Sequence, residues 1–276
     1  MPETGAGTGT GTGTGTARAV PQFDAVELRP KGSKYCVVVF VINEGEKIRA
    51  QLATMAELAE TFDVVIADGG STDGSLDLDS LRGWNVRALL TKRGPGKLSA
   101  QMRMAFSYAL DQGYDGVITI DGNGKDDPAP IPEFARLLDS GVDHVQGSRF
   151  IPGGRAVNTP LSRWLAVRLL HAPLISLAAR ERHTDTTNGF RAYSARLLGD
   201  ETIAPFRDVF MTYELHYHLA IESSRDPRFR TAETPVTRSY PAKGKTPTKI
   251  SPVRGNAHVL QLLFRAVRRT YRRPTA

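Results

Sequence analysis

Short apolar runs alternate with amphipathic helical segments along the first half of the chain. Residues 36–42 and 63–68 are continuous, β-branched runs typical of buried strands, and apolar residues at helical spacing over 47–60 separate them. The alternation continues with a strand near 86–90, a helix over 98–112 and a strand over 117–121. This order predicts an α/β fold, in which a single Rossmann-like and mostly parallel sheet is flanked by helices.

The alternation breaks down after residue 150. A long amphipathic helix is predicted over 160–180, a shorter helix over 211–222 and a late strand over 235–238. These elements extend the same domain, which we place at residues 31–254. Residues 1–30, rich in Gly and Thr, are predicted to be disordered, and residues 255–276 to form a basic amphipathic C-terminal helix.

Composition narrows the choice of partners. The chain has 276 residues and a formal net charge of +7, which favours an anionic partner. Nucleic acid is not expected, because the basic residues are not interleaved with stacking aromatic residues. The one cysteine, Cys36, lies in an apolar run and favours a reducing, cytoplasmic setting. We find no apolar run that could cross a membrane, but the arginine-rich C-terminal helix fits a peripheral contact with a membrane.

Asp121 and Asn123 follow directly after the apolar run 117–120. Carboxyl ends of parallel strands are where open α/β sheets bind ligands, and these two side chains offer oxygen atoms suited to Mg²⁺ or Mn²⁺. An ordinary turn is the alternative, since Asp-Gly and Asn-Gly are common turn dipeptides.

Two further strand ends carry candidate ligand-binding residues. Asp68 begins a loop of Gly, Ser, Thr and Asp and is placed to accept hydrogen bonds from a base or ribose, although an Asx-type turn explains it equally. Lys97 follows a glycine-rich turn and precedes a helix, where it would meet a phosphate. The full phosphate-loop spacing is missing, which argues against a P-loop nucleotidase.

Two carboxylates in the second half, Glu214 and Asp185, are candidates for a general base. A surface carboxylate or a helix cap is the alternative for each. His216 and His218 are two residues apart on a predicted helix, so they point to different sides, and a structural role is favoured for both.

Several segments, taken in order, resemble the family-2 glycosyltransferases with the A-type nucleotide-sugar fold, and most of all their polyprenyl-phosphate mannosyl- and glucosyltransferase branch. The segments that carry this resemblance are residues 41–44, 68–75, 96–97, 147–150 and 185–193. No single motif would be enough to identify the family. The resemblance depends on the number of motifs and on their order along the chain.

The resemblance implies a role for each matching residue. Asn43, Glu44, Asp68 and Ser71 would hold the nucleoside, and Lys97 the diphosphate. Asp121 and Asn123 would bind Mn²⁺ or Mg²⁺. The remaining basic residues would face phosphates of donor or acceptor, with Arg191 near the reacting groups: Arg149, Arg191, Arg238, Lys243, Lys245 and Lys249. No flavin is expected.

One departure from the family pattern stands out. The family usually has Asp-x-Asp where this chain has Asp121-Gly-Asn123, and the missing charge predicts weaker metal binding. The expected function is metal-dependent transfer of a hexose, with GDP-hexose the preferred donor, to a polyprenyl phosphate or a small sugar. A nucleotide-sugar mutase and a non-catalytic nucleotide-sugar-binding protein are the alternatives, and a homodimer is left open.

Overall fold

The computed structural model describes residues 18–242 and 254–272, except for the side chains of Arg254 and Asn256. Its strands, in chain order, are β1 (Phe23–Glu27), β2 (Tyr35–Val41), β3 (Asp63–Asp68), β4 (Ala88–Lys92), β5 (Gly116–Asp121), β6 (His144–Ser148), β7 (Arg155–Val157), β8 (Arg191–Ser194), β9 (Thr231–Pro235) and β10 (Thr237–Ser239). The helices are α1 (Glu46–Thr54), α2 (Leu58–Thr61), α3 (Leu78–Gly83), α4 (Leu98–Asp111), α5 (Ile131–Asp139), α6 (Leu161–Ala166), α7 (Ala172–Ala179), α8 (Ala195–Leu198), α9 (Glu214–Arg225) and α10 (Arg254–Val267).

Eight strands form the main sheet in the order β1-β4-β3-β2-β5-β8-β6-β9. The four strands β4, β3, β2 and β5 are parallel, β8 runs antiparallel between β5 and β6, and β6 pairs in parallel with β9. The predicted α/β fold with a mostly parallel sheet is therefore confirmed. Strands β7 and β10 form a separate parallel pair.

Helices cover both faces of the sheet and bury two apolar layers. One layer contains residues of α4, α7, α9 and α10, and the other contains residues of α1 and α5. Strands β2 and β3 are buried along their whole length, as their continuous apolar sequences predict. The long helix predicted over 160–180 is present as α6 and α7, joined by one π-helical turn at Val167–His171.

The N-terminal boundary predicted at residue 31 is wrong. Phe23–Glu27 forms strand β1, which pairs antiparallel with β4 at the edge of the sheet. The glycine- and threonine-rich residues 1–17 lie outside the described ranges. The sequence did not show β1 because only isolated apolar residues mark this edge strand.

The predicted C-terminal helix is present as α10, but its apolar side faces the protein. Leu262, Leu263 and Ala266 are buried in the layer that also contains α7 and α9. The predicted use of this apolar side for a membrane is therefore wrong. Within residues 18–242 and 254–272, no helix is long and apolar enough to cross a bilayer.

Candidate functional site

Loops after β2 and β3 are tied together at the carboxyl edge of the sheet. The backbone N–H of Asn43 donates to the Ser71 hydroxyl at 2.9 Å, and the Asn43 side-chain oxygen accepts from the Thr72 N–H at 2.8 Å. Asn43 has a positive φ of 46°, a conformation that asparagine tolerates better than most residues. The structure thus joins Asn43 to Ser71, two of the residues that the family resemblance assigned to the nucleoside.

The carboxylate of Asp68, at the end of β3, holds the loop after that strand in place. Asp68 is buried at 3% exposure, and its carboxylate accepts hydrogen bonds from the Ser71 N–H and hydroxyl. This is the Asx-type turn that the sequence left as an alternative. Asn43 and Thr72 are the exposed residues of this cluster, whereas only 13% of the Glu44 side chain is exposed, and its carboxylate lies 3.8 Å from Lys47 Nζ.

Lys97 lies at the start of α4 with an exposed side chain. The backbone N–H groups of Lys97 and Ser99 donate to the carbonyls of Met211 and Thr212, at 2.7 and 2.8 Å. These two amides are therefore satisfied by the protein. Any phosphate contact here depends on the lysine side chain more than on the helix N-terminus.

Asp121 ends β5 and forms an ion pair with Arg238. Its Oδ2 accepts from Arg238 Nη2 at 3.0 Å, and the other arm of the guanidinium bonds the buried carboxylate of Asp126. Burial acts to lower the pKa of Arg238, but the Asp126 and Asp121 charges outweigh it and raise that pKa, so the guanidinium stays charged. Burial raises the pKa of Asp126 to about 6.

The backbone fixes Arg238 in this position. The Ser239 N–H donates to the Lys125 carbonyl at 2.8 Å, and the Asp127 N–H donates to the Thr237 carbonyl at 3.1 Å. These bonds join β10 to the segment that follows Asp121. The ion pair is therefore held by the main chain on both sides.

The side chains at this strand end do not form a metal site as they are arranged. Asn123 donates its amide to Asp121 Oδ2 at 3.4 Å, and its side-chain oxygen accepts from the Lys125 N–H at 3.3 Å. In the part of the chain that the structure describes, no three His, Cys, Asp or Glu side chains are grouped to hold a metal ion. The positive charge beside Asp121 is the guanidinium of Arg238.

A cavity of about 530 Å³ opens beside Asp121. One part of its wall is polar and cationic, with Asp121, Arg163, Arg191, Arg238 and Tyr240. Another part is apolar and is formed largely by the helix that contains α6 and by α10: Leu98, Ala166, Val167, Leu170, Val259 and Leu260.

Positive charge dominates the polar part of the cavity. The guanidinium of Arg163 and the ammonium of Lys125 each lie 5.5 Å from the centre of the Tyr240 ring, and Arg238 lies at 5.9 Å. Burial acts to raise the pKa of the Tyr240 phenol, yet the charges of Arg238, Arg163 and Arg149 outweigh it and lower that pKa. A phenol pKa that is lowered in spite of burial indicates a positive potential at this position, which would also stabilise a bound anion.

Arg191 is buried beneath the cavity. Its guanidinium donates to three backbone carbonyls, those of Asn188, His216 and Thr186, at 2.9 to 3.0 Å. Burial and the Arg191 charge hold the pKa of His216 well below its usual value, so this imidazole is neutral. Arg191 therefore adds to the positive potential of the cavity, and its predicted role next to the reacting groups stays a prediction.

Asp185 is a wrong prediction as a general base, and Arg149 is wrong as a phosphate ligand. The two side chains form a fully buried ion pair, with Arg149 Nε and Nη2 at 2.6 and 2.9 Å from the two carboxylate oxygens. Thr187 accepts a further bond from Arg149. This pair joins the end of β6 to the loop before β8, so neither charged group is open to a substrate.

Glu214 is also a wrong prediction as a base. Its carboxylate accepts from the N–H groups of Met211 and Thr212 and from the Thr212 hydroxyl, at 2.6 to 3.1 Å, and it is buried. These bonds fix the residues just before α9, and they are not the helix cap that the sequence left open, since the N-cap residue Tyr213 makes no side-chain capping bond. His218 is structural too, since its Nε2 lies 2.7 Å from the Ile203 carbonyl.

Three predicted site residues lie outside the described ranges, and three residues that line the cavity were not predicted. Lys243, Lys245 and Lys249 lie outside the described residues. Arg163, Tyr213 and Tyr240 line the cavity but were not predicted as site residues. Helical spacing offered a signal for Arg163, because positions 162, 163, 166, 167, 170 and 171 all line the cavity.

Sequence comparison places the chain in a family. Residues 36–201, more than half of the chain, match Glycosyl transferase family 2. The chain belongs to glycosyl transferase family 2. The resemblance to this family predicted from the motifs is thereby confirmed.

Relatives support the predicted branch of the family. The chain is 32% identical over 169 residues to an undecaprenyl-phosphate mannosyltransferase of Micrococcus luteus, a match that covers 58% of this chain and 66% of the relative. It is 25% identical over 178 residues to a polyprenol monophosphomannose synthase of Mycolicibacterium smegmatis, covering 63% of this chain and 66% of the relative. The matches thus span slightly less than two thirds of both relatives.

Solved structures confirm the glycosyltransferase A-type fold. A glucosyl-3-phosphoglycerate synthase from Mycobacterium tuberculosis, in complex with Mn²⁺, UDP and phosphoglyceric acid, superimposes with a TM-score of 0.57 at 17% identity. The superposition covers 86% of this chain and 76% of that structure. At this identity the likeness establishes the fold.

Proposed function

We propose that this glycosyltransferase moves a hexose from a nucleoside-diphosphate sugar to a polyprenyl phosphate bound in the cavity beside Asp121. The observation that carries the proposal is that one cavity joins a cationic wall to an apolar wall. A lipid phosphate has the same two parts, an anionic head and an apolar chain. The names of the two relatives, both of which refer to polyprenyl phosphates or polyprenols, support this acceptor.

The cationic wall would bind the acceptor phosphate. Arg163 and Arg191 line the cavity, and Arg163 donates to the Tyr240 hydroxyl at 3.2 Å. Hydrogen bonds from guanidinium groups to phosphate are charge-assisted and strong. Leu170, Val167 and Leu260 would then contact the first isoprene units.

The donor nucleoside would lie over the loops that follow β2 and β3, against Asn43, Glu44 and Ser71. Strand β5 is the next neighbour of β2, with Phe40 paired to Asp121. A nucleotide that extends along this edge directs its diphosphate toward Asp121, with Lys97 on the same side of the sheet. GDP-hexose remains our preferred donor, although the matched solved structure contains UDP.

The chemistry needs no general base. An acceptor phosphate oxygen, already ionised at neutral pH, attacks the anomeric carbon as the bond from that carbon to the donor diphosphate breaks. Direct attack inverts the anomeric configuration, and the nucleoside diphosphate leaves with the electron pair. This agrees with the observation that Glu214 and Asp185 are both occupied by structural hydrogen bonds. A small sugar acceptor, by contrast, would require a base.

A membrane contact is part of the proposal. The exposed side chains of Leu161, Leu165, Leu169 and Leu177 follow one another at multiples of four residues, along the outer side of the helix whose inner side lines the cavity. Trp164 lies beside them and is 39% exposed. We define these five side chains as the leucine ridge. Resting in a bilayer interface, the ridge would bring the cavity next to the lipid acceptor and make the enzyme peripheral at the inner membrane face.

Mn²⁺ or Mg²⁺ remains a prediction for this chain. The fold is shared with a structure that contains Mn²⁺, but Asp121 and Asn123 are engaged with Arg238 and Lys125 as described above. No step of the proposed reaction depends on a metal.

The test is a transfer assay with the full chain. GDP-mannose, GDP-glucose and UDP-glucose would each be incubated with undecaprenyl phosphate in vesicles, and the lipid fraction analysed for the sugar by mass spectrometry. The expected result is a mannosyl or glucosyl phospholipid with an inverted anomeric centre. Failure of every donor to label the lipid would overturn the proposal.

Incubations without lipid distinguish the proposed lipid glycosyltransferase from a mutase and from an enzyme with a water-soluble acceptor. NMR of donors incubated alone would reveal an isomeric nucleotide sugar if the protein is a mutase. Replacing the lipid with a small sugar or a small phosphorylated acceptor would show whether the apolar wall matters. Transfer to a water-soluble acceptor at an equal rate would contradict a lipid acceptor.

A further inference from the structure

We infer that Arg238 is the built-in counter-charge for the donor diphosphate, so that this chain binds nucleoside diphosphates without a divalent metal. The inference rests on the proposed function, because it assigns a residue to the donor half of the same site.

The guanidinium of Arg238 occupies the side of Asp121 that faces the cavity. It bonds Asp121 Oδ2 at 3.0 Å, and both residues line the cavity wall. Asn123 replaces the second carboxylate that would favour a metal, and it uses its amide to donate to the same Oδ2. The negative charge of Asp121 at this strand end is therefore already balanced by a guanidinium group of the protein.

Other cationic groups leave the site positive without a metal. Arg163, Arg191 and Arg238 line the cavity, and the Lys125 ammonium lies near the Tyr240 ring in its wall. The carboxylates bonded to Arg238 are those of Asp121 and Asp126, and Asp185 is neutralised by Arg149. The lowered pKa of Tyr240 reports the same excess of positive charge. A diphosphate that gains negative charge as the sugar leaves would be stabilised here by fixed dipoles and guanidinium groups.

Rigid placement distinguishes Arg238 from a surface arginine. Backbone bonds on both sides of the residue hold it, and its second arm is anchored on the buried Asp126. Such a guanidinium loses little conformational entropy on binding a phosphate and needs no reorganisation as charge develops.

The decisive measurement is calorimetric binding of GDP and UDP to the wild-type chain, once in EDTA and once in Mn²⁺. We expect the two dissociation constants to agree within about threefold, since the counter-charge is already present. A loss of more than about tenfold in EDTA would overturn this inference and leave the transfer proposal standing. Absence of binding in both conditions would overturn both.

Substitutions of Arg238 test whether this residue is responsible for nucleotide binding without a metal. We expect Arg238→Met to weaken binding in EDTA by about tenfold or more, because a charge-assisted hydrogen bond to the diphosphate is lost. Arg238→Lys should retain part of the affinity. Arg196→Met is the matched control, since Arg196 also pairs with a buried aspartate, Asp143, at the opposite end of the parallel strands. Unchanged affinity in Arg238→Met, with a melting temperature equal to the control, would refute the assignment.

A gain-of-function variant provides an independent test. Asn123→Asp restores a second carboxylate beside Asp121, so we expect Mn²⁺ to strengthen GDP binding in this variant more than in the wild type. Equal Mn²⁺ responses in the two proteins would count against the idea that Asn123 and Arg238 together replace the metal.

Discussion

Gly189 lies directly against the carboxylate of Asp121. A Cβ atom placed on Gly189 would be 2.7 Å from Asp121 Oδ1, closer than such contacts occur. The loop before β8 therefore positions the acidic residue at the end of β5 by leaving no space between them.

This contact predicts the effect of Gly189→Ala. The added methyl must push Asp121 from its position beside Arg238, so we expect kcat/KM to fall by about tenfold or more while the fold persists. Gly83→Ala is the control, because its added Cβ meets no atom within 4 Å. Transfer kinetics with both variants check this, and wild-type kinetics in Gly189→Ala would show that the position of Asp121 is unimportant.

Asp185→Asn should act on stability. Removing the charge from a fully buried pair leaves Arg149 without its partner, at a cost of about 3–5 kcal/mol in the free energy of unfolding. Urea unfolding measures the loss. The exposed pair of Arg136 and Glu133 offers a comparison, since Glu133→Gln should cost less than about 1 kcal/mol. If Asp185→Asn were fully stable but inactive, a role as catalytic base would be restored.

His218 predicts a pH dependence of stability. Burial lowers its pKa from 6.5 to about 4, while the bond to Ile203 acts in the opposite direction. A histidine with a depressed pKa contributes full stability above pH 6.5, and that contribution falls as the pH drops from 6.5 to about 4. The loss attributable to His218 is about 3 kcal/mol over this window. His218→Gln should therefore lose less stability than the wild type on acidification.

Melting temperatures between pH 7 and pH 4 test this. The other buried histidines titrate in both proteins, so their effect cancels in the difference. His258→Gln, at an exposed position, is the control for loss of an imidazole. Parallel curves for the wild type and His218→Gln would contradict the assignment.

The leucine ridge predicts lipid binding. Changing Leu165, Leu169 and Leu177 to Gln should reduce sedimentation with anionic vesicles by about tenfold or more, because each leucine that enters an apolar phase contributes about 1.5–3 kcal/mol. Leu78→Gln is the control; Leu78 is also exposed but belongs to α3, on the other face of the sheet. Undiminished vesicle binding by the triple variant would exclude the ridge as the docking surface.

Local sequence predicted much of the sheet and the loops that meet at its carboxyl edge. Strands β2, β3 and β5 are continuous apolar runs, and polar residues follow each at the edge where the loops meet. The resemblance to the family assigned Asn43 and Ser71 to one nucleoside site, and the two residues are hydrogen-bonded. Patterns of this kind are readable because they depend on residues a few positions apart.

Long-range pairing was not readable from the sequence. Arg238 and Asp121 are 117 residues apart, and Arg149 and Asp185 are 36 apart, so no spacing rule joins them. Asp185 was misjudged as a base for the same reason, whereas the partners of Glu214, Met211 and Thr212, are only three and two residues away. A single acidic residue in a polar segment looks alike whether it faces a substrate or a buried arginine.

The position of β8 has a consequence for synthesis of the protein. This strand, Arg191–Ser194, lies between β5 and β6, although both of those precede it in the chain. Until residue 194 has left the ribosome, the facing edges of β5 and β6 carry unpaired backbone groups. The nascent chain is therefore most exposed to aggregation during that interval, and slow translation upstream of β8 should lower the yield of folded enzyme.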